Sequence, residues 1–127
     1  MSMFYAMLYK VSISTQLHQR CLIPAIKYIE ENYTTHDISN GVLAQLCNMS
    51  EVHFRKLFKD EFDKSPKQYI LDMRIQRAKQ LLRDGVFKIN AISEECGFSS
   101  EYHFSRIFKQ KTGMSPSEYN KKNQIIY

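Results

Sequence analysis

The sequence predicts an all-α protein of about seven helices, built as two tandem helix-turn-helix subdomains joined by a long central helix. Three observations predict it. The chain repeats itself at a shift of 50: Ser50–Tyr69 and Ser100–Tyr119 agree at nine of twenty positions, Ser50/Ser100, Glu51/Glu101, His53/His103, Phe54/Phe104, Phe58/Phe108, Lys59/Lys109, Ser65/Ser115, Pro66/Pro116 and Tyr69/Tyr119. Roughly one match would arise by chance. Two copies make tandem modules and not a solenoid. Helix breakers are scarce, with 4 Gly and 3 Pro in 127 residues, which favours helix throughout. Finally, each copy reads as a short helix, a tight turn and a second helix.

The elements follow in order. Residues 1–21 read as an N-terminal extension or a linker from an upstream region, and no element is assigned to 1–20. The first subdomain is 22–65. Between Ile23 and Tyr33, Ile23, Ile26 and Ile29 recur at helical spacing and Tyr33 closes the stripe; Pro24 suits a first turn and Asn32 an end. A polar connection, His36 to Asn40, supplies cap residues for a helix of about two turns that Val42, Leu43 and Leu46 define, with the small Ala44 inside it. Asn48 tolerates turn geometry, and Ser50 caps a helix from Glu51 to about Phe62 that buries Phe54, Leu57, Phe58 and Phe62.

Ser65 as N-cap and Pro66 in the first helical position then start the linking helix, 66–84. It reaches Leu82 or Arg83 before Asp84-Gly85 ends it, a length of roughly 25–30 Å. Leu71, Ile75, Ala78 and Leu82 form its apolar stripe, widened by Ile70 and Leu81. Arg74 lies inside that sector, where an unpaired charge is costly. A carboxylate partner from another helix is therefore expected, with Arg74 holding the two halves together. The second subdomain, 85–122, repeats the plan. Ile89 to Glu95 form a short helix with Ile89 and Ile92 inward and Ser93 in the tight spot. Gly97 takes a positive φ at the turn and Phe98 plugs the core. A helix from Ser100 to Lys111 buries Phe104, Ile107 and Phe108, Gly113 ends it, and Ser115-Pro116 start a last short helix through Tyr119. The tail, 123–127, is expected to fray.

Composition narrows the function. Hydrophobic residues are 43% and aromatics 13%, enough for a core, and the net charge of +5 permits nucleic acid or an anionic membrane as partner. The basic residues are spread over several helices, which argues against a membrane role. The three cysteines, Cys21, Cys47 and Cys96, are too far apart for a disulfide framework or a zinc site, and read as reduced, mostly buried thiols of a cytoplasmic protein. The apolar run at 1–11 is interrupted by Lys10, too short to span a bilayer, and lacks a signal peptide's features. No metal or cofactor site is indicated: His18, His36, His53 and His103 have no Cys or carboxylate at ligand spacing, and no acidic cluster suits Mg²⁺. An enzyme that uses helix-turn-helix units for docking is accordingly disfavoured.

In a helix-turn-helix the second helix enters the major groove, so its outward face decides function. Opposite Phe54/Leu57/Phe58 lie Val52, Arg55, Lys56 and Lys59, at i, i+3, i+4 and i+7. The second copy offers Tyr102, Ser105, Arg106 and Lys109, with His103 and Glu101 beside its N-terminal end. Arg bonds bidentately to guanine, Ser adapts to donor or acceptor, and Val52 or Tyr102 can lie against a thymine methyl. Lys59 and Lys109 suit phosphates, as do the free N–H groups of the helix starts at Ser50 and Ser100. A basic strip on one helix is commonly just a solvated face; two equivalent strips, each after a short helix and turn, point to double-stranded DNA. Glu51 and Glu101 argue mildly against, unless they pair internally or accept from a cytosine amine. The linking helix suits a spacing of about one duplex turn, near 34 Å, so one monomer would address two successive major grooves.

The run from Ala44 to Leu82 and the signature Gly97-Phe98 to Tyr119, GF-x-S-x-x-x-F-x-R-x-F-K…G-x-S-P-x-x-Y, resemble the DNA-binding domain of the AraC/XylS family of bacterial transcription regulators. The likeness covers about Leu22 to Lys122. It implies a seven-helix fold, asymmetric promoter sites and, usually, activation through contact with RNA polymerase. By motif position it places base reading on Val52, Arg55 and Lys56, and on Tyr102, His103, Ser105 and Arg106. Asp63 stands where the first module usually has Gly, and Ser93 where the second usually has Ala. Many members also carry an upstream effector-sensing or dimerisation domain, so this chain reads as a fragment or as a stand-alone member, monomeric in its DNA-binding region. The competing reading is a protein-interaction module or anti-activator that uses the same fold without reading DNA.

Overall fold

The computed structural model describes residues 20–35, 38–85 and 87–124; most of the N-terminal extension, the first two residues of the 36–40 connection (His36 and Asp37), Val86 and the last three residues lie outside them. Seven helices and no strand occur among the described residues: α1 (20–32), α2 (Asn40–Leu46), α3 (Glu51–Phe62), α4 (Pro66–Asp84), α5 (Ile89–Glu95), α6 (Glu101–Thr112) and α7 (Pro116–Gln124). The all-α, double helix-turn-helix expectation holds. The chain divides into two compact units, one combining the residues up to Glu31 with Ile38–Pro66, the other combining Asn32–Asp37 with the chain from Lys67 onward.

In the first unit α1 buries Leu22, Ala25 and Ile29, α2 buries Leu43 and Ala44, and α3 buries Phe54 and Phe58. Two stripes compete on α1, Ile23/Ile26 and Leu22/Ala25, both leading to Ile29. The structure buries the second: Ile23 is 53% exposed, and Ile26 is half-buried. The expected isoleucine stripe is thus turned by one residue, with Leu22 and Ala25 inward. On α2, Val42 and Leu46 are also exposed. Ser39 sets that helix's start by accepting from the Val42 amide at 3.2 Å. Phe54, Phe58 and Phe62 then run along α3 with ring centroids 5.7 and 4.7 Å apart, within the range for favourable aromatic pairs. Leu57 and Phe62 are only half-buried.

The second unit packs one core from Leu71, Ile75, Ala78, Leu81 and Leu82 of α4, Ile92 of α5, Cys96 and Phe98 of the turn, and Phe104, Ile107 and Phe108 of α6, with Ile89 and Tyr119 against it. The predicted α4 stripe is buried throughout. The ring series Phe98–Phe104–Phe108–Tyr119 continues at 5.1, 5.6 and 5.4 Å. α7 extends to Gln124, well past Tyr119. Nothing between Asn120 and Gln124 breaks a helix, and Lys121 and Lys122 sit in its last turn, where cations favour the helix dipole.

The repeat reaches further back than the shift of 50 shows. At a shift of 49, the buried Leu22, Ala25 and Ile29 of α1 correspond to the buried Leu71, Arg74 and Ala78 of α4. The hydrogen bonds that close the turns agree at the same shift. Asn48 N donates to Gln45 O and Met49 N to Ala44 O; Gly97 N donates to Glu94 O and Phe98 N to Ser93 O, each at 3.0 Å. Both turns are the helix ending in which a left-handed residue satisfies the last carbonyls, with Asn48 (φ 55°) and Gly97 (φ 87°) in that place. The second turn then carries one extra residue before its helix, Ser99, and that is why the later halves align at 50.

Candidate nucleic-acid interface

The reading helices α3 and α6 start in the same way. Ser50 Oγ accepts from the His53 amide at 3.1 Å and Ser100 Oγ from the His103 amide at 3.0 Å. One of the free N–H groups at each helix start is therefore satisfied, and the amides of the first two residues remain for an anion. Both helices end on a left-handed residue, Asp63 (φ 58°) and Gly113 (φ 82°), whose amides close onto Lys59 O and Lys109 O. Asp63 takes the conformation expected where glycine is usual, because a short polar side chain tolerates it. Beyond Gly113, Thr112 Oγ1 lies 2.8 Å from Phe108 O and accepts from Met114 N at 3.2 Å.

Between these caps the predicted strips are solvent-facing. Val52, Arg55, Lys56 and Lys59 are all exposed on α3, Val52 at 70%. On α6, Tyr102 (79%), Arg106 and Lys109 are exposed and Ser105 is half-buried. Ser50 and Ser100, the expected phosphate contacts, are exposed at the helix starts, each next to an exposed glutamate, Glu51 or Glu101. His103 differs from its counterpart. His53 is exposed, whereas the His103 ring packs edge-on to Phe98 at 5.8 Å with Nδ1 shielded and unpartnered.

The structural residues lie behind this surface. Arg74 is buried at 8% exposure, and its Nε and Nη2 donate to Tyr33 O at 2.6 Å and Thr35 O at 2.5 Å. Both of these bonds reach main-chain carbonyls. Its guanidinium also stands 5.9 Å from the Phe98 ring centroid, within cation–π range. Gly97 lies under the same Tyr33–Thr35 turn; a Cβ there would sit 2.6 Å from Thr34 O. Ser93, buried in the tight spot, returns its hydroxyl to Asn90 O at 2.7 Å. Lys111 bridges to Asp72 and Gln68, both at 2.7 Å. Sequence reasoning missed the carbonyl acceptors and the Lys111 bridge; carbonyls belong to every residue and carry no compositional signal.

Of the cysteines only Cys96 is buried, with Cys47 half-buried and Cys21 exposed. The expectation of mostly buried thiols fails because Cys21 falls on the solvent side of α1. Burial pushes the Cys96 thiol up to about 11 and also raises that of Cys47. Among the described residues no group of His, Cys, Asp and Glu is placed to hold a metal ion, and no helix is long and apolar enough to cross a membrane.

A family profile described as a helix-turn-helix domain matches residues 43–122. The fold is similar to a transcriptional regulator with an AraC-type DNA-binding domain from Chromobacterium violaceum: 30% identity, TM-score 0.73, covering 83% of this chain and 93% of that one. The chain belongs to the AraC family of helix-turn-helix regulators. Among curated relatives it is 38% identical over 72 residues to the HTH-type transcriptional regulator ArgR of Pseudomonas aeruginosa, a match covering 57% of this chain and 20% of that protein. It is 35% identical over 74 residues to the lactose operon transcription activator of Staphylococcus xylosus, covering 58% of this chain and 26% of that one. The chain therefore spans about a fifth to a quarter of the length of these relatives.

Proposed function

We propose that this AraC-type chain is the sequence-reading part of a bacterial transcription regulator, binding asymmetric double-stranded promoter sites as a monomer. α3 and α6 lie in successive major grooves, about one duplex turn apart. The observation that carries this reading is the pair of exposed strips on identically capped helices. Val52, Arg55 and Lys56 read bases in one half of the site; Tyr102, His103, Ser105 and Arg106 read the other. Lys59, Lys109 and the helix starts at Ser50 and Ser100 hold phosphates. Arg74, Gly97, Phe98 and Gly113 support these surfaces without touching DNA. The regulator acts in the cytoplasm, as an activator that contacts RNA polymerase, with dimerisation left to an upstream domain. It catalyses no reaction and needs no cofactor.

The test is selection of binding sites from random duplex DNA, followed by footprinting of the winner. An asymmetric sequence protected in two major-groove segments about one turn apart supports the reading. A single protected segment would leave one module as scaffold. No enriched sequence, with a flat salt dependence of any residual association, would favour the protein-interaction alternative.

A further inference from the structure

We infer that Val52 and Tyr102 read thymine through its 5-methyl group, one thymine in each half of the site; this rests on the DNA-reading function above. They are the two most exposed large apolar side chains among the described residues, at 70% and 79%, with Ile23 next at 53%. A single exposed apolar residue needs no explanation. These two occupy the same place in both copies of the repeat, the second residue of α3 and of α6. The serine caps before them fix that place, since His53 N and His103 N bond Ser50 Oγ and Ser100 Oγ. Among the described residues nothing covers either side chain beyond the exposures given.

The chemistry of the occupant follows from the neighbours. Val52 shares its strip with Arg55 and Lys56, and Tyr102 with Ser105 and Arg106, at i+3 and i+4 on one helix face. Those groups are satisfied by guanine edges and phosphate oxygens. The apolar residue beside them needs an apolar target in the same groove. On the base edges of the major groove, the thymine C5 methyl is the group that offers one. Val52 is short and β-branched, so its methyl contact requires close approach of the α3 backbone. The Tyr102 ring reaches further and meets the methyl with its face, leaving its hydroxyl for a phosphate or water.

The probe is the duplex selected from the random pool, with each thymine replaced in turn by deoxyuridine. That change removes one methyl group and leaves base pairing intact. Affinity for the 127-residue chain is measured at one fixed salt concentration. One thymine in each half should lose about fourfold in affinity, the effect of returning one methyl to water, and the others should change little. Val52→Ala should abolish the sensitivity in one half alone and Tyr102→Ala in the other alone. Both positions are exposed, so thermal unfolding should be unchanged and separates a contact from a folding defect. Equal affinity with uracil at every thymine overturns the inference, as do uracil sensitivities that survive both substitutions; either result leaves sequence-specific DNA reading standing. Failure to enrich any sequence removes that function, and this inference with it.

Discussion

The two modules close their turns with the same hydrogen bonds, yet one uses Asn48 and the other Gly97 at the left-handed position. The same contrast recurs where the reading helices end, on Asp63 in the first module and Gly113 in the second. A positive φ alone admits a short polar side chain at modest cost. What distinguishes Gly97 is the space around it: the Thr34 carbonyl occupies the place of a Cβ, whereas nothing lies within 4 Å of one at Gly113. In the second module the turn is also a seat for the Tyr33–Thr35 segment, which Arg74 clamps from α4. The first module carries Ala25 at the position equivalent to Arg74. One backbone motif thus serves two purposes, and only close approach makes glycine obligatory.

The largest effect expected is from Gly97→Ala, about 3 kcal/mol or more of lost stability, because left-handed strain adds to a backbone clash that no rotamer relieves. Gly113→Ala should cost only about 1 kcal/mol, the conformational part alone. The cysteines let the modules be watched separately, since Cys47 and Cys96 hold the same place after α2 and α5. Thiol labelling in a Cys21→Ser background should show Gly97→Ala exposing Cys96 while Cys47 reacts as before. Equal costs for the two glycine substitutions would break the distinction between strain and crowding.

Next comes Arg74→Met, expected to cost about 2–3 kcal/mol because two part-buried carbonyls lose their charged donor. Arg74→Lys should recover only part of this, since an ammonium cannot span two carbonyls and the Phe98 ring as a planar fork does. Chemical denaturation measures both. A neutral Arg74→Met would mean that the clamp is incidental and the two modules are equivalent after all.

How much of this was legible in the sequence depends on whether the signal was local. Ser50, Ser100 and Pro66 mark helix starts and Gly97 and Gly113 mark ends by chemistry that acts within one turn, so those boundaries were read correctly. The α4 stripe was legible because six apolar residues share one sector. On α1 two overlapping stripes were present, and nothing local chose Leu22 and Ala25 over Ile23. Val42 and Leu46 misled for a related reason: a two-turn helix presents too few positions for periodicity to tell its faces apart. The two carbonyls that accept from Arg74 were invisible because main-chain carbonyls belong to every sequence. The outward strips were legible as the complement of a buried aromatic face, but His103 shows the limit of that logic. Its identity with His53 hides the fact that only His103 packs against a phenylalanine in its turn.

For binding, Arg55→Ala and Arg106→Ala should each weaken the selected site by about 1–3 kcal/mol and relax base choice in one half only. Lys59→Ala and Lys109→Ala should weaken all sequences alike and lower the salt slope by about one each. Titrations against the selected duplex and a scrambled one, at several salt concentrations, separate the two classes. If Arg106→Ala changed neither affinity nor preference, the face assigned to α6 would be wrong while that of α3 could stand.

The smallest effect expected is at Lys111, where Glu61 stands in the first module at a shift of 50. Lys111 Nζ reaches Asp72 and Gln68, joining the C-terminal end of α6 to α4. The two charged side chains are 29% and 32% exposed, so water and salt screen much of their attraction. Lys111→Ala should cost about 0.5 kcal/mol at low salt and still less at high salt. The lysine also sits in the last turn of α6, where a cation favours the helix dipole. Asp72→Asn keeps that term and removes the ion pair. If Asp72→Asn is neutral while Lys111→Ala is not, the lysine acts on its own helix end, and the bridge is no real difference between the modules.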